Sequence, residues 1–380
     1  MKAILISFFN SNNIGDQLIS QELPKMISEG FDLKCLDFSE NLIPKTNSDV
    51  PNKTNPKRKL SLFRYLLYKI KFNLKIKEYR RLVKKVDLVF IGGGNMLFSH
   101  DKYSKLIYKF DKFTKIAIKS RKKVWAISLG IAPFVSSIQE AKAVNLIANC
   151  DYISFRDPKS LSIYNKYINK PQAYLSIDPV FFLDYKLLDI SNHGIGINII
   201  NNLLIEESIA EYEKVNNNYL KLIERVKKLN LRIYLFSTDL KDYPAINAIY
   251  NKLSNKENIF IENITNSQDV FNLYSKISFI IGTRMHAMII ASTQFVPFIG
   301  LSWQQKIEAF FKLINKEAYR FNYKSVIEDL DLIMAKVFKI MGNLEKEKVQ
   351  LKQTLDELKD KYNIDHKMIN KLANKKLTRR

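Results

Sequence analysis

Ile281-Gly282-Thr283-Arg284-Met285-His286-Ala287 places a guanidinium two residues from an imidazole. Ahead of it, Ile277, Phe279, Ile280 and Ile281 form a short apolar run suited to a buried strand, and Met285 to Gln294 carries a helical pattern that stops before Pro297. Residues two apart on one helix point in different directions, so Arg284 and His286 converge only if Arg284 lies on the turn before the helix. A phosphate or carboxylate placed there would meet Arg284, the unpaired N–H groups of the first turn and His286 together. The chemistry on offer is anion binding with a proton handler alongside. The same residues also fit an arginine capping a carbonyl and a buried, satisfied histidine, and both readings stay open.

Other polar or glycine-rich positions share one placement. Gly15 and Asp16 follow an apolar run at Ala3 to Phe8, and Gly92, Gly93, Gly94 and Asn95 follow one at Leu88 to Ile91. Gly130 follows Val124 to Leu129, and Arg156 ends Tyr152 to Phe155. In open α/β sheets ligands bind at the carboxyl ends of strands, so these positions, with Asp178, can line one crevice. Each has a plainer reading. Asp16 and Asp157 can cap helices, with Pro158 at the first helical position. The glycines can simply permit a tight turn, Arg156 can sit in a structural ion pair, and Asp178 before Pro179 can be a turn residue.

The elements that must position these residues alternate. Amphipathic stretches separate the four runs above, and a second series follows at Gly194 to Ile199, Arg232 to Phe236, Asn258 to Glu262, Phe279 to Ile281 and Pro297 to Leu301. Turn signals and a polar break place a hinge near residues 186–194. The expected architecture is α/β: two Rossmann-like domains facing a cleft, over 1–188 and 189–342, with a Lys-rich helical tail over 343–380. No G-x-G-x-x-G fingerprint is present, which weighs against a nicotinamide enzyme.

Taken in order, Asn13-Ile14-Gly15-Asp16, Gly92-Gly93-Gly94, Phe155-Arg156-Asp157, Ile177-Asp178-Pro179 and Gly282-Thr283-Arg284-Met285-His286-Ala287, followed by Pro297 and Lys306, resemble the polysaccharide pyruvyltransferases. The resemblance spans about 300 residues. One departure is Trp303-Gln304-Gln305-Lys306, where the family shows an aromatic-Asp-x-Lys segment, so an acidic role there is in doubt. The resemblance implies a GT-B-like architecture, with the N-terminal domain on the acceptor side and the C-terminal domain on the donor side. It implies transfer of the pyruvyl unit of phosphoenolpyruvate onto a sugar of a polysaccharide or its lipid-linked precursor as a cyclic ketal. Phosphoenolpyruvate is then a donor substrate, and no cofactor is expected. Binding it calls for fixed cations, and arginine gives bidentate contacts. Arg284 and Arg156, with Thr283 and Lys306, are the candidate donor-binding residues. His286 and Asp16 are the candidate acid and base, since a free imidazole titrates near 6.5, the division between them being unfixed.

Composition bounds the rest. Among 380 residues, 61 Lys and Arg stand against 38 acids, a formal charge of +23 that implies an anionic partner. The segment Lys53 to Lys85 holds 13 basic residues and one acid, Glu78, interleaved with large apolar side chains, and fits either an anionic membrane surface or a solvated basic face. Nucleic acid is disfavoured, because the basic residues are scattered lysines without a recognised motif. Cys35 and Cys150 give neither a disulfide framework nor a thiolate metal site, and no metal is expected. A cytoplasmic protein, peripheral at the inner membrane face, fits this composition. In the tail, Leu344, Leu351, Leu355 and Leu358 permit a docking helix, a homo-oligomer contact or a frayed end. His366 and His100 read as ordinary surface residues, His100 close to the expected crevice, and His193 sits at the expected hinge with no evident partner. The rival functions are a GT-B glycosyltransferase using a nucleotide sugar and, in another class, a basic nucleic-acid-binding protein.

Overall fold

The computed structural model describes residues 1–38, 61–99, 101–131, 133–169, 173–184, 194–204 and 208–377. His100, His193, the start of the basic segment at Lys53 and nearly all of the expected hinge lie outside these residues. The chain divides into two compact units, one of Met1–Ser11, Ile19–Pro179 and Lys361–Arg380, the other of Asn12–Leu18 and Val180–Asp360.

In chain order the first series is β1 (Lys2–Ser7), α1 (Ile14–Ser28), β2 (Asp32–Asp37), α2 (Leu62–Lys75), α3 (Lys77–Val83), β3 (Leu88–Leu97), α4 (Lys105–Lys119), β4 (Lys123–Ile131), α5 (Ser137–Ile147), β5 (Tyr152–Phe155), α6 (Pro158–Tyr167) and β6 (Ala173–Leu175). Its strands pair in parallel in the order β2-β1-β3-β4-β5-β6. The inner strands are buried along nearly their whole length, so they read as continuous apolar runs rather than as an alternation. Every strand inferred from such runs is present. The strands missed by pattern are edge strands in their sheets, such as β2, partly exposed and rich in charge.

The glycine triplet does not follow its strand. β3 continues through it to Leu97, with Gly93 at φ +78° and Gly94 at φ +82°, and its register against β4 shifts between Asn95 and Leu97. Only glycine adopts that left-handed backbone cheaply, so the triplet kinks a strand where a turn was expected. Gly130 likewise lies inside β4. Asp157 caps α6, accepting from the Ser160 N–H at 2.8 Å, with Pro158 at the first helical position.

The second series is β7 (Gly194–Asn198), α7 (Ile209–Lys227), β8 (Ile233–Phe236), α8 (Tyr243–Lys252), β9 (Ile259–Glu262), α9 (Ser267–Tyr274), β10 (Ile277–Gly282), α10 (Met285–Thr293), β11 (Phe298–Ser302), α11 (Gln305–Leu313), β12 (Arg320–Asn322), α12 (Leu330–Gly342), α13 (Leu344–Tyr362) and α14 (Ile364–Leu377). Its parallel sheet runs β12-β11-β10-β7-β8-β9. Numbered within the unit this is the 3-2-1-4-5-6 order of dinucleotide-binding sheets, whose direction of strand addition switches between β7 and β10.

The tail is two helices. Leu351, Leu355 and Leu358 of α13 are buried, and Glu347 accepts from Lys316 Nζ at 2.8 Å and Tyr319 Oη at 2.5 Å, which docks α13 onto the second unit. α14 belongs to the first unit, where buried Asp365 accepts from Ser128 Oγ at 2.6 Å and Tyr152 Oη at 2.8 Å. His366, expected at the surface, is instead half-buried beside it, because α14 packs on the first unit. Burial lowers its pKa, against the opposing pull of Asp365 and Glu29.

Candidate active site

Within the second unit the switch point is built around Asn198, the last residue of β7 and fully buried. Its Oδ1 accepts the backbone N–H groups of Thr283 at 3.2 Å and Arg284 at 2.7 Å, and its Nδ2 donates to the Phe236 carbonyl at the end of β8. One amide side chain therefore ties the ends of three strands and holds open the turn between β10 and α10. Arg284 is the N-cap of α10, with extended backbone and no side-chain cap. α4, α5, α7 and α9 are capped by a Ser or Asn side chain. No side chain caps the start of α10, where the Ala287 N–H donates to the Arg284 carbonyl at 3.1 Å. α11 starts in the same way, at Gln304, with Lys306 in its first turn and the Lys306 ammonium 6.0 Å from the Trp303 ring centroid. Trp303 Nε1 donates to the Thr283 carbonyl at 3.2 Å. The Thr283 hydroxyl is spoken for by Tyr219 Oη at 2.8 Å, and the residue is fully buried.

Arg284 is not an open cation. Its Nε and Nη2 donate to the two oxygens of Asp242 at 2.8 and 2.7 Å, and Asp239 lies 3.6 Å from Nη2. Burial works against its charge, but these carboxylates outweigh the burial and raise the arginine pKa further. Asp242 is fully buried and also accepts from Ser237 Oγ at 2.5 Å and the Asn201 N–H at 2.9 Å. Two of the five guanidinium N–H groups are thereby committed to Asp242.

The segment after β1 meets this same turn. Asn13 forms an antiparallel bridge with Asp239, Ile14 N–H donates to the Thr238 carbonyl at 2.8 Å, and Asn13 Oδ1 accepts the Asp16 N–H at 3.3 Å. The cap of α1 is therefore Asn13, and Asp16 lies in its first turn. His286 packs on Gly15 so closely that a Cβ built there would fall 2.0 Å from His286 Nδ1. Gly15, Asp16, Thr283, Arg284, His286 and Lys306 thus all belong to the second unit.

The first unit holds a cluster of its own. Arg156 pairs through Nη1 with Asp178 and donates from Nη2 to Asn95 Oδ1 at 2.9 Å, both charged side chains being almost fully buried. A Cβ on Gly130 would fall 2.2 Å from Asn95 Oδ1 and 2.9 Å from Arg156 Nε, so the bare glycine makes room for the pair. The structural ion pair foreseen as one reading of Arg156 is what the geometry shows.

The family model described as Polysaccharide pyruvyl transferase matches residues 13–305. The chain belongs to that family. Membership makes it a transferase directed at a polysaccharide or sugar acceptor. No curated protein matches the chain in sequence. Among solved structures, the UDP-GlcNAc 2-epimerase of Neisseria meningitidis superposes with a TM-score of 0.54 at 11% identity, over 95% of this chain and 99% of that one. The S. aureus MnaA–UDP structure gives 0.55 at 12%, over 96% and 97%. An alpha-glucosyltransferase in complex with UDP gives 0.52 at 10%, over 97% and 99%. At such identities the likeness establishes the GT-B-like fold alone.

Asn198, Ser237, Asp239 and Asp242 were not singled out from sequence. Asn198 ends an otherwise apolar run, and Ser237-Thr238-Asp239 follows the next strand directly, so the signal available was a polar residue at a strand's carboxyl end. Among the described residues no group of three His, Cys, Asp or Glu side chains is placed to hold a metal ion.

Proposed function

We propose that the protein transfers the pyruvyl unit of phosphoenolpyruvate onto two hydroxyls of a sugar in a polysaccharide or its lipid-linked precursor, forming a ketal and releasing phosphate. The observation that carries the assignment is the convergence of Gly15 and His286, far apart in sequence, at the uncapped start of α10. Both lie in segments that carry the resemblance. On this reading the donor's anionic groups are met by the first-turn amides of α10, by Lys306 and by the part of Arg284 that Asp242 leaves over. A sugar hydroxyl loses its proton and attacks the enol carbon bearing the phosphate ester, while the methylene carbon gains a proton. The phosphate then departs with the C–O bond electrons, and a second hydroxyl closes the ketal and gives up its proton. His286 and Asp16 carry these protons.

The test pairs ligand binding with product. Phosphoenolpyruvate should raise the Tm of the parent and of His286→Asn alike, because a ligand bound only to the folded state stabilises it by mass action. Cells carrying only the variant should lack the pyruvyl-ketal mass increment on their envelope glycan. A Tm raised by nucleotide sugars and not by phosphoenolpyruvate would assign the site to glycosyl transfer, and ketal-bearing glycan in the variant strain would remove His286 from the chemistry.

A further inference from the structure

The helix α2 has no buried residue, although half of it is large and apolar. At 3.6 residues per turn, Leu62, Phe63, Leu66, Leu67, Ile70 and Leu74 fall within an arc of about 140°, and Tyr65, Tyr68 and Phe72 fall opposite. The aromatic side is the packed one. Tyr65 stacks on Tyr103 at 5.2 Å between centroids, Phe72 meets Phe113 edge-on at 5.8 Å, and Tyr68 meets Tyr108 edge-on at 6.3 Å. The aliphatic side therefore points away from the unit, from 40% exposed at Leu67 to 69% at Phe63.

Cations border that face. Arg64, Lys71 and Lys75 lie along one edge and Lys69 along the other, and no acidic residue occurs between Leu62 and Lys77. We propose that α2 lies flat on an anionic lipid surface, with its aliphatic face among the acyl chains and its cations at the phosphates. The charge selects this occupant over a second copy of the chain, because two such rims brought together would repel. It also selects lipid over nucleic acid, which offers nothing to an aliphatic stripe. No helix of the described residues is long and apolar enough to cross a membrane, so the contact is peripheral. The inference is independent of the pyruvyl-transfer reading and is tested without turnover.

The full chain is sedimented with phosphatidylglycerol vesicles and with phosphatidylcholine vesicles at 0.1 M salt, alongside Leu66→Ser/Ile70→Ser and Lys71→Gln/Lys75→Gln. All four positions are exposed, so far-UV circular dichroism and Tm should match the parent. The parent should sediment with the anionic vesicles only. Removing two cations should lower partitioning roughly thirtyfold, and 1 M salt, which shortens the Debye length from about 10 to about 3 Å, should release the protein. The serine pair should also lose binding. A parent that ignores anionic vesicles, or variants that bind as the parent does, would overturn the proposal. A concentration-dependent dimer abolished by the serine pair would give the face to a second copy instead.

Discussion

Asp242→Asn isolates what holds Arg284 in place. The carboxylate accepts four hydrogen bonds, two of them from Arg284. Asparagine keeps one oxygen, which can still serve Asn201 N–H and Arg284 Nη2, but turns an NH₂ donor toward the Arg284 Nε–H. One charge-assisted bond is lost and the guanidinium is left buried without its counter-charge, a situation that costs about 3–5 kcal/mol in buried pairs. Arg284 is 17% exposed and Asp239 remains nearby, which puts the expectation at the lower end, about 3 kcal/mol. For a unit of this size each kcal/mol moves Tm by roughly 2–4 °C, so the fall should be roughly 6–12 °C. The chain has two tryptophans, Trp125 in the first unit and Trp303 in the second, so a Trp125→Phe background makes fluorescence report the second unit alone. Trp303 is bonded to the Thr283 carbonyl, beside the mutated pair. In a double-variant cycle with Arg284→Met, the double should cost less than the sum of the singles by about 1 kcal/mol or more. A fall of under 2 °C, or strict additivity, would refute the view that Asp242 and Arg284 act as one unit.

Gly15→Ala should drive the His286 ring back by about 1.5 Å to restore ordinary contact distances. Misplacement on that scale costs about a hundredfold in turnover. Ketal formation within twofold of the parent, with the His286 ring resonances unmoved by NMR, would show that Gly15 does not set the ring. His366, whose folded pKa is lowered first by burial, binds fewer protons folded than unfolded. Its stabilising contribution is therefore fully present above about pH 6.5 and is lost as pH falls through the lower folded value. His366→Gln should flatten the drop in Tm between pH 7.5 and 5.5, and equal slopes in parent and variant would count against this linkage.

The inner strands were legible because a parallel sheet covered on both faces demands uninterrupted apolar residues, and Phe279 to Ile281 or Val124 to Leu129 can be little else. Three of the four edge strands were not, since β2, β6 and β12 are short or half-exposed and read as ordinary polar connections, whereas the edge strand β9 was read. The glycine triplet was legible as a backbone exception but not as a kink inside a strand, because positive φ serves a turn and a bulge equally well. Arg284 was correctly placed on the turn before the helix and His286 inside it, the argument being that residues two apart on one helix point in different directions. What could not be read was Asp242, 42 residues upstream, whose pairing depends on β8 and β10 lying on either side of β7. Only the strand order brings those two loops together.

Both arginines singled out as anion binders prove to be paired with a buried aspartate, Arg284 with Asp242 and Arg156 with Asp178. A guanidinium fixed in this way has its plane set before any ligand arrives, so little side-chain entropy is spent on binding. The same carboxylate cancels most of its long-range field. On the proposed reading, an incoming dianion at Arg284 meets orientation more than net charge, and the positive potential it needs has to come from elsewhere. Two sources stand at the carboxyl ends of adjacent strands β10 and β11: the uncapped starts of α10 and α11, each adding the partial positive charge of a helix N-terminus, and the Lys306 ammonium in the first turn of α11. On the proposed reading, the paired fork of Arg284 aims the donor and the Lys306 ammonium adds charge that the fork no longer offers.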